Sequence, residues 1–170
     1  MLSGFVISYE LILEIQYAET GYREMKFMHR RKWLGRVLIG TVLFINVQCA
    51  LLFLLIPKVY VPGFELEGGA GNFYVRGIGL LFLMWNVPYF VAVLDPLKYR
   101  VSLYEATVMQ AIGLVGETLL LLSLPVGHLA LHNTVRRFIL FDAVGLVLLL
   151  LTVWVTRVTN ECEKPIESSS

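Results

Sequence analysis

Residues 101–125 read VSLYEATVMQAIGLVGETLLLLSLP. The run has the length of a membrane span, which takes about 20 mostly apolar residues, and it closes at Pro125, which cannot continue a helix. Glu117 interrupts it. Ala106, Gln110, Gly113 and Glu117 recur at steps of four, three and four, so they fall on one stripe of a helix, whereas Ile112, Val115, Leu119 and Leu122 fall on the opposite side. In hydrocarbon, small residues allow helices to approach and polar ones need partners that lipid cannot supply. The spacing therefore predicts that Glu117 points into a helix bundle.

The rest of the chain reads the same way. Of its 170 residues 57% are apolar and 16% charged, and the mean hydropathy is +0.71, a composition of membrane proteins. Four windows have the length of a span, at about residues 34–56, 77–94, 101–124 and 138–156. Pro57, the Asp95-Pro96 pair and Pro125 close the first three. Only "DPLKYR" separates the second and third windows, which forces a helical hairpin. The expected fold is an all-α integral membrane four-helix bundle, up-down-up-down, occupying residues 25–157.

The basic residues set its orientation. Arg23, Lys26, Arg30, Arg31, Lys32, Arg36, Lys98, Arg100, Arg157 and Lys164 fall on one side of such a bundle, and Lys58, Arg76, Arg136 and Arg137 on the other. The positive-inside rule places the first side, with both termini, in the cytoplasm of a multi-pass cell-membrane protein. The net charge of +1 gives no support to a nucleic-acid partner; the partners expected are the lipid bilayer and other membrane proteins or further copies of the chain.

At about 1.5 Å per residue, Glu117 lies roughly 10 Å below the outer end of its helix, and Asp142, one turn from Gly145, lies at a similar depth in the fourth. Thr152 and Thr156 continue roughly the Asp142 face. Asn46, Gln48 and Cys49 from the first helix and Asn86 from the second reach the same zone. A carboxylate near the bilayer centre costs about 3 kcal/mol on insertion scales, so it calls for pairing, protonation or water. Arg76, Arg136 and Arg137 are the cations within reach. Two readings follow. In one, Asn46, Asn86, Glu117, Asp142 and an arginine form a hydrogen-bonded network that fixes the packing of a non-catalytic accessory component. In the other, Asn46, Asn86, Gln110, Glu117, Asp142, Arg76 and Arg137 line a pocket for a proton, a quinone or a small solute. Phe82, Trp85, Tyr89 and Phe90 make an aromatic face beside Asn86, where Pro88 is expected to kink the second helix and make room for a ligand.

Other segments carry weaker signals. In "FVISYELILEIQYAE" (5–19), Phe5, Tyr9, Leu11, Ile12 and Ile15 oppose Glu10 and Glu14, so residues 1–24 read as an amphipathic extension. The stretch "KVYVPGFELEGGAGNFYVRG" (58–77) reads as a connector with tight glycine turns, since "GGAG" lacks the Lys and Ser or Thr of a phosphate loop. His128 and His132 have the spacing of one helical face but no third ligand nearby, so no metal site is expected. Cys49 and Cys162 lie in an apolar segment and a polar tail, which excludes a disulfide framework. Residues 158–170 read as a polar, mobile tail. No hydrolase nucleophile and base pair, dinucleotide fingerprint or metalloprotease motif occurs.

The stretch "RGIGLLFLMWNVPYFVAVLDPLKYR" (76–100) resembles the second hairpin of the small four-helix membrane proteins called DoxX-like. The resemblance covers about 50 residues, through the third helix, and implies a compact four-helix bundle. Some members of that family are similar to subunits of thiosulfate:quinone oxidoreductases. No catalytic residue is carried over by it.

Overall fold

The computed structural model describes residues 3–161, with side chains described for residues 21, 23 and 25–157. It consists of helices α1 (Ser3–Leu55), α2 (Pro57–Tyr60), α3 (Gly68–Trp85), α4 (Val87–Leu94), α5 (Arg100–Ser123) and α6 (Leu129–Glu161), with a 3-10 turn, Val61–Phe64, after α2. There is no strand among the described residues. Four stretches, Met25–Leu55, Gly68–Leu94, Arg100–Ser123 and Leu129–Arg157, are long and apolar enough to cross a membrane.

Proline sets most of the breaks. Ile56, Asp95 and Leu124, each just before a proline, leave the helical region, with φ/ψ of −128/52, −159/96 and −71/125, as the clash with the proline ring requires. Pro88 sits in the first turn of α4, where its missing N–H is tolerated. The break it imposes falls at Asn86, whose φ/ψ of −80/−4 ends α3 before α4 begins.

The observed helices differ from the sequence windows in three places. The glycine-rich part of 58–77 is helical, because α3 starts at Gly68. Gly68 takes a φ of +63 at that start, and Gly71 is buried where a Cβ would lie 2.8 Å from Val61 Cγ1. These glycines serve a helix start and a close contact instead of a run of turns. Likewise α6 begins at Leu129, well before residue 138. The backbone of residues 3–24 continues α1 without interruption; the side chains of the expected amphipathic face lie outside the described set, as do residues 162–170.

Helix α1 packs on α3, α4 and α6, and α5 packs on α4 and α6, while no comparable packing joins α3 to α5 or α6. Two apolar clusters result. Ile39, Val42, Tyr89, Ala92, Leu103, Ala106, Leu149 and Val153 form one. Phe53, Val61 and Val75, ringed by Phe64, Phe82 and Phe138, form the other at the Pro57 end. Close approach of α1 and α3 depends on Gly79, whose Cβ would lie 2.8 Å from the Ala50 carbonyl oxygen. At the Asp95 end, Lys32 pairs with Asp95 and Arg36 donates to the Leu94 carbonyl, one of the acceptors that the end of α4 leaves open. Burial raises the Asp95 carboxyl, but Lys32 and the N–H groups of Lys98 and Leu97 outweigh it and hold the group below its ordinary 3.8.

Candidate functional site

Residues of α1, α3, α4, α5 and α6 line one cavity of about 190 Å³. On α1 these are Asn46 and Cys49, between Val42 and Phe53; on α6 they are Arg137, Phe138, Phe141 and Asp142. Helices α3 and α4 supply Phe82, Trp85, Asn86 and Tyr89 around the break, and α5 supplies Met109, Gln110, Gly113 and Glu117. The cavity thus occupies the interval where α3 does not pack on α5 and α6.

One hydrogen-bonded chain crosses its floor. The Tyr89 hydroxyl lies 2.5 Å from Gln110 Oε1 and 3.1 Å from the Ala106 carbonyl oxygen, and Gln110 Nε2 donates to Asp142 Oδ1 at 2.8 Å. Small residues make this reach possible. A Cβ on Gly145 would lie 2.7 Å from Gln110 Nε2, and one on Gly113 would press on Asp142 Oδ2. The Gly113 and Gly145 pair therefore holds α5 and α6 close enough for an amide and a carboxylate to meet. Buried amides and carboxylates are normally satisfied in this way.

Two acceptors are not. Asn86 donates its Nδ2 to the Phe82 carbonyl at 2.6 Å, yet its Oδ1 is buried without a partner, as is Glu117 Oε2. Asn86 is only 5% exposed. Arg137 lines the cavity without forming an ion pair to either acid; among the described residues the ion pairs are Lys32 with Asp95 and His128 with Glu65.

Six of the seven site residues read from the sequence, Asn46, Asn86, Gln110, Glu117, Asp142 and Arg137, come together here. Arg76 does not; it is exposed on α3, one residue past the buried Val75 and so turned off the packed face. Gln48 is exposed as well. Thr152 and Thr156 are buried, but toward the Asp95 end, with hydroxyls donating to carbonyls of their own helix. The network expected of Asn46, Asn86, both acids and an arginine is replaced by the Tyr89, Gln110 and Asp142 chain.

Tyr89 is the functional candidate that the sequence reading left among packing aromatics. A signal was present: it lies three residues after Asn86, and a buried tyrosine hydroxyl usually finds a partner.

A second polar cluster lies at the Pro57 end. Glu65 accepts from the backbone N–H groups of Ala130 and Leu131 at 3.1 and 3.2 Å, capping α6 from outside its own helix. His128 Nδ1 lies 2.5 Å from Glu65 Oε2; a carboxylate only accepts, so the proton is assigned to Nδ1. The hydrogen bond from His128, with that from Leu131, holds the Glu65 carboxyl below its ordinary 4.5. Glu65 adopts a φ of 54, an unusual conformation for a residue with a side chain, and Thr134 donates to the Gly63 carbonyl nearby at 2.7 Å. The 3-10 turn is thereby clasped to the start of α6.

No family model, curated protein or solved structure matches the chain. The DoxX-like resemblance therefore rests on the hairpin quoted above.

Proposed function

We propose that the chain is a multi-pass protein of the cell membrane, inserted up-down-up-down with both termini cytoplasmic, that holds a small solute in the cavity between α1, α3, α5 and α6. The ten-to-four division of Lys and Arg supports the orientation, and it sets the cavity in the outer half of the bundle. The observation that carries the binding reading is the pair of open acceptors, Asn86 Oδ1 and Glu117 Oε2, on residues that line one cavity.

A packing device would close its polar atoms on one another, as Tyr89, Gln110 and Asp142 do. Leaving a buried acceptor unmatched costs about 1–3 kcal/mol. Groups kept at such a cost in an aromatic-walled cavity are typical of binding sites, where a few polar atoms orient a mostly apolar ligand. This favours a pocket over a purely structural accessory component.

The test is purification of the full chain in mild detergent, with mass spectrometry of proteins and small molecules together. The expected result is the chain alone or self-associated, carrying a small molecule that Glu117→Gln reduces or abolishes. Recovery only with larger partner proteins and no small molecule would overturn the binding reading and favour the accessory one.

A further inference from the structure

The donors and acceptors around the cavity are unevenly distributed. The Tyr89 hydroxyl and Gln110 Nε2 are both engaged within the chain that ends on Asp142, and Asn86 Nδ2 is engaged with the Phe82 carbonyl. What the buried wall leaves open are acceptors, Asn86 Oδ1 and Glu117 Oε2. Two carboxyl groups, Glu117 and Asp142, stand against one guanidinium, Arg137, which is exposed.

A ligand that satisfies Asn86 Oδ1 and Glu117 Oε2 must bring hydrogen-bond donors. A quinone brings carbonyl acceptors and leaves these two oxygens unmatched. The walls add a second constraint. Phe82, Trp85, Tyr89, Phe138 and Phe141 present aromatic rings, whose faces attract cations. A cavity of about 150 Å³ in another protein accommodates benzene, so about 190 Å³ suits one ring with a short side arm.

We propose that the ligand is an organic ammonium ion, a protonated primary or secondary amine on an apolar body the size of one aromatic ring, which places its N–H donors on Asn86 Oδ1 and Glu117 Oε2. The apolar body lies among the aromatic side chains. The break at Asn86 matters here because it separates α3 from α4 at a residue that lines the cavity and whose amide oxygen has no protein partner. This inference rests on the binding reading above and specifies its ligand.

Equilibrium dialysis of the full chain in detergent, first shown by native mass spectrometry to be ligand-free, tests it with three probes of similar shape: 2-phenylethylammonium, 2-phenylethanol and phenylacetate. The ammonium should bind about tenfold or more tighter than the alcohol, a ratio set by the charge-assisted hydrogen bonds. Glu117→Gln keeps the side-chain shape and should erase that preference while the variant unfolds at a temperature no lower than the parent. Equal or tighter binding of the alcohol or the carboxylate would overturn the ammonium assignment and leave the pocket standing. Retention of none of the three would overturn the assignment, and the pocket itself falls if the chain also carries no small molecule when purified from its native membrane.

Discussion

Gln110 on α5 and Asp142 on α6 meet through a 2.8 Å hydrogen bond because Gly113 and Gly145 leave no Cβ between the two helices. The same amide receives the Tyr89 hydroxyl, so one side chain couples three helices. Gln110→Leu leaves Asp142 Oδ1 without its donor and should destabilise the bundle by about 1–3 kcal/mol. Asp142→Leu should cost a similar amount, and the double variant should cost less than the sum by about 0.5–3 kcal/mol. Denaturation of the four proteins in detergent measures this; strict additivity would show that the two side chains do not cooperate.

Helix contacts give an independent prediction with a built-in control. At Gly79 a Cβ would lie 2.8 Å from a backbone oxygen of α1 and 3.0 Å from Phe53 Cβ, whereas at Gly77 nothing lies within 4 Å. Gly79→Ala must move α1 or α3 and should destabilise by about 1–3 kcal/mol. Gly77→Ala removes only backbone freedom and should be neutral or gain up to about 1 kcal/mol. Equal unfolding temperatures for the two variants would contradict the observed α1 and α3 packing.

Stability should also depend on pH through the ends of the helices. Glu65 and Asp95 both titrate below their ordinary values of 4.5 and 3.8. A depressed carboxyl contributes stability that is complete above the ordinary value and is lost as pH falls through the lowered one. The contribution of these two carboxyls should therefore hold steady from about pH 7 to about pH 5 and decline below that, read as the difference between the parent and variants at the two positions. Glu65→Gln should be less stable than the parent at neutral pH and decline less on acidification. An unchanged acid slope in that variant would remove Glu65 from the account.

How much of this was legible in the chain depends on what each feature needs. The stripe of Ala106, Gln110, Gly113 and Glu117 was readable, because the apolar residues on the opposite side, Ile112, Val115, Leu119 and Leu122, all end up exposed. The three pre-proline helix ends were readable for the same local reason. The capping of α6 by Glu65 was not, since it joins positions 63 or more apart and turns on a left-handed φ at a residue type that rarely takes one. The helical state of 68–77 was hidden by its glycines, which signal turns by composition and serve close packing in the fold. Arg76 was placed at the site by depth alone, and depth does not fix rotation about a helix axis.

Orientation rests on charge and can be tested directly. Position 69 is open, with nothing within 4 Å of a built Cβ, and Lys98 is exposed in the turn before α5. In a Cys162→Ser background, an impermeant thiol reagent applied to intact cells should label Gly69→Cys and leave Lys98→Cys unlabelled until the cells are opened. Labelling of position 98 from outside would invert the insertion, and with it the placement of the cavity in the outer half.

Glu117 separates a packing role from a binding one through the sign of a stability change. A carboxylate that anchors neighbours leaves them unmatched when it is removed, so a packing role predicts that Glu117→Leu weakens the bundle by about 1–3 kcal/mol. The structure has no protein partner on Glu117 Oε2 and no ion pair from Arg137, so truncation strands nothing, while an apolar side chain of similar volume relieves the burial of an unpaired acid. Replacing even a buried ion pair by packed hydrophobic residues is often neutral or stabilising by about 1–4 kcal/mol, and an unpaired acid has no Coulombic attraction to lose. Glu117→Leu should accordingly unfold at the same or a higher temperature than the parent and lose binding of 2-phenylethylammonium. Glu117→Gln should keep the stability and lose the preference for the cation. A residue retained against stability is one held for its chemistry. If Glu117→Leu instead unfolds well below the parent, the carboxylate belongs to the packing of α5, and the case for an open acceptor at that position collapses whatever the binding data show.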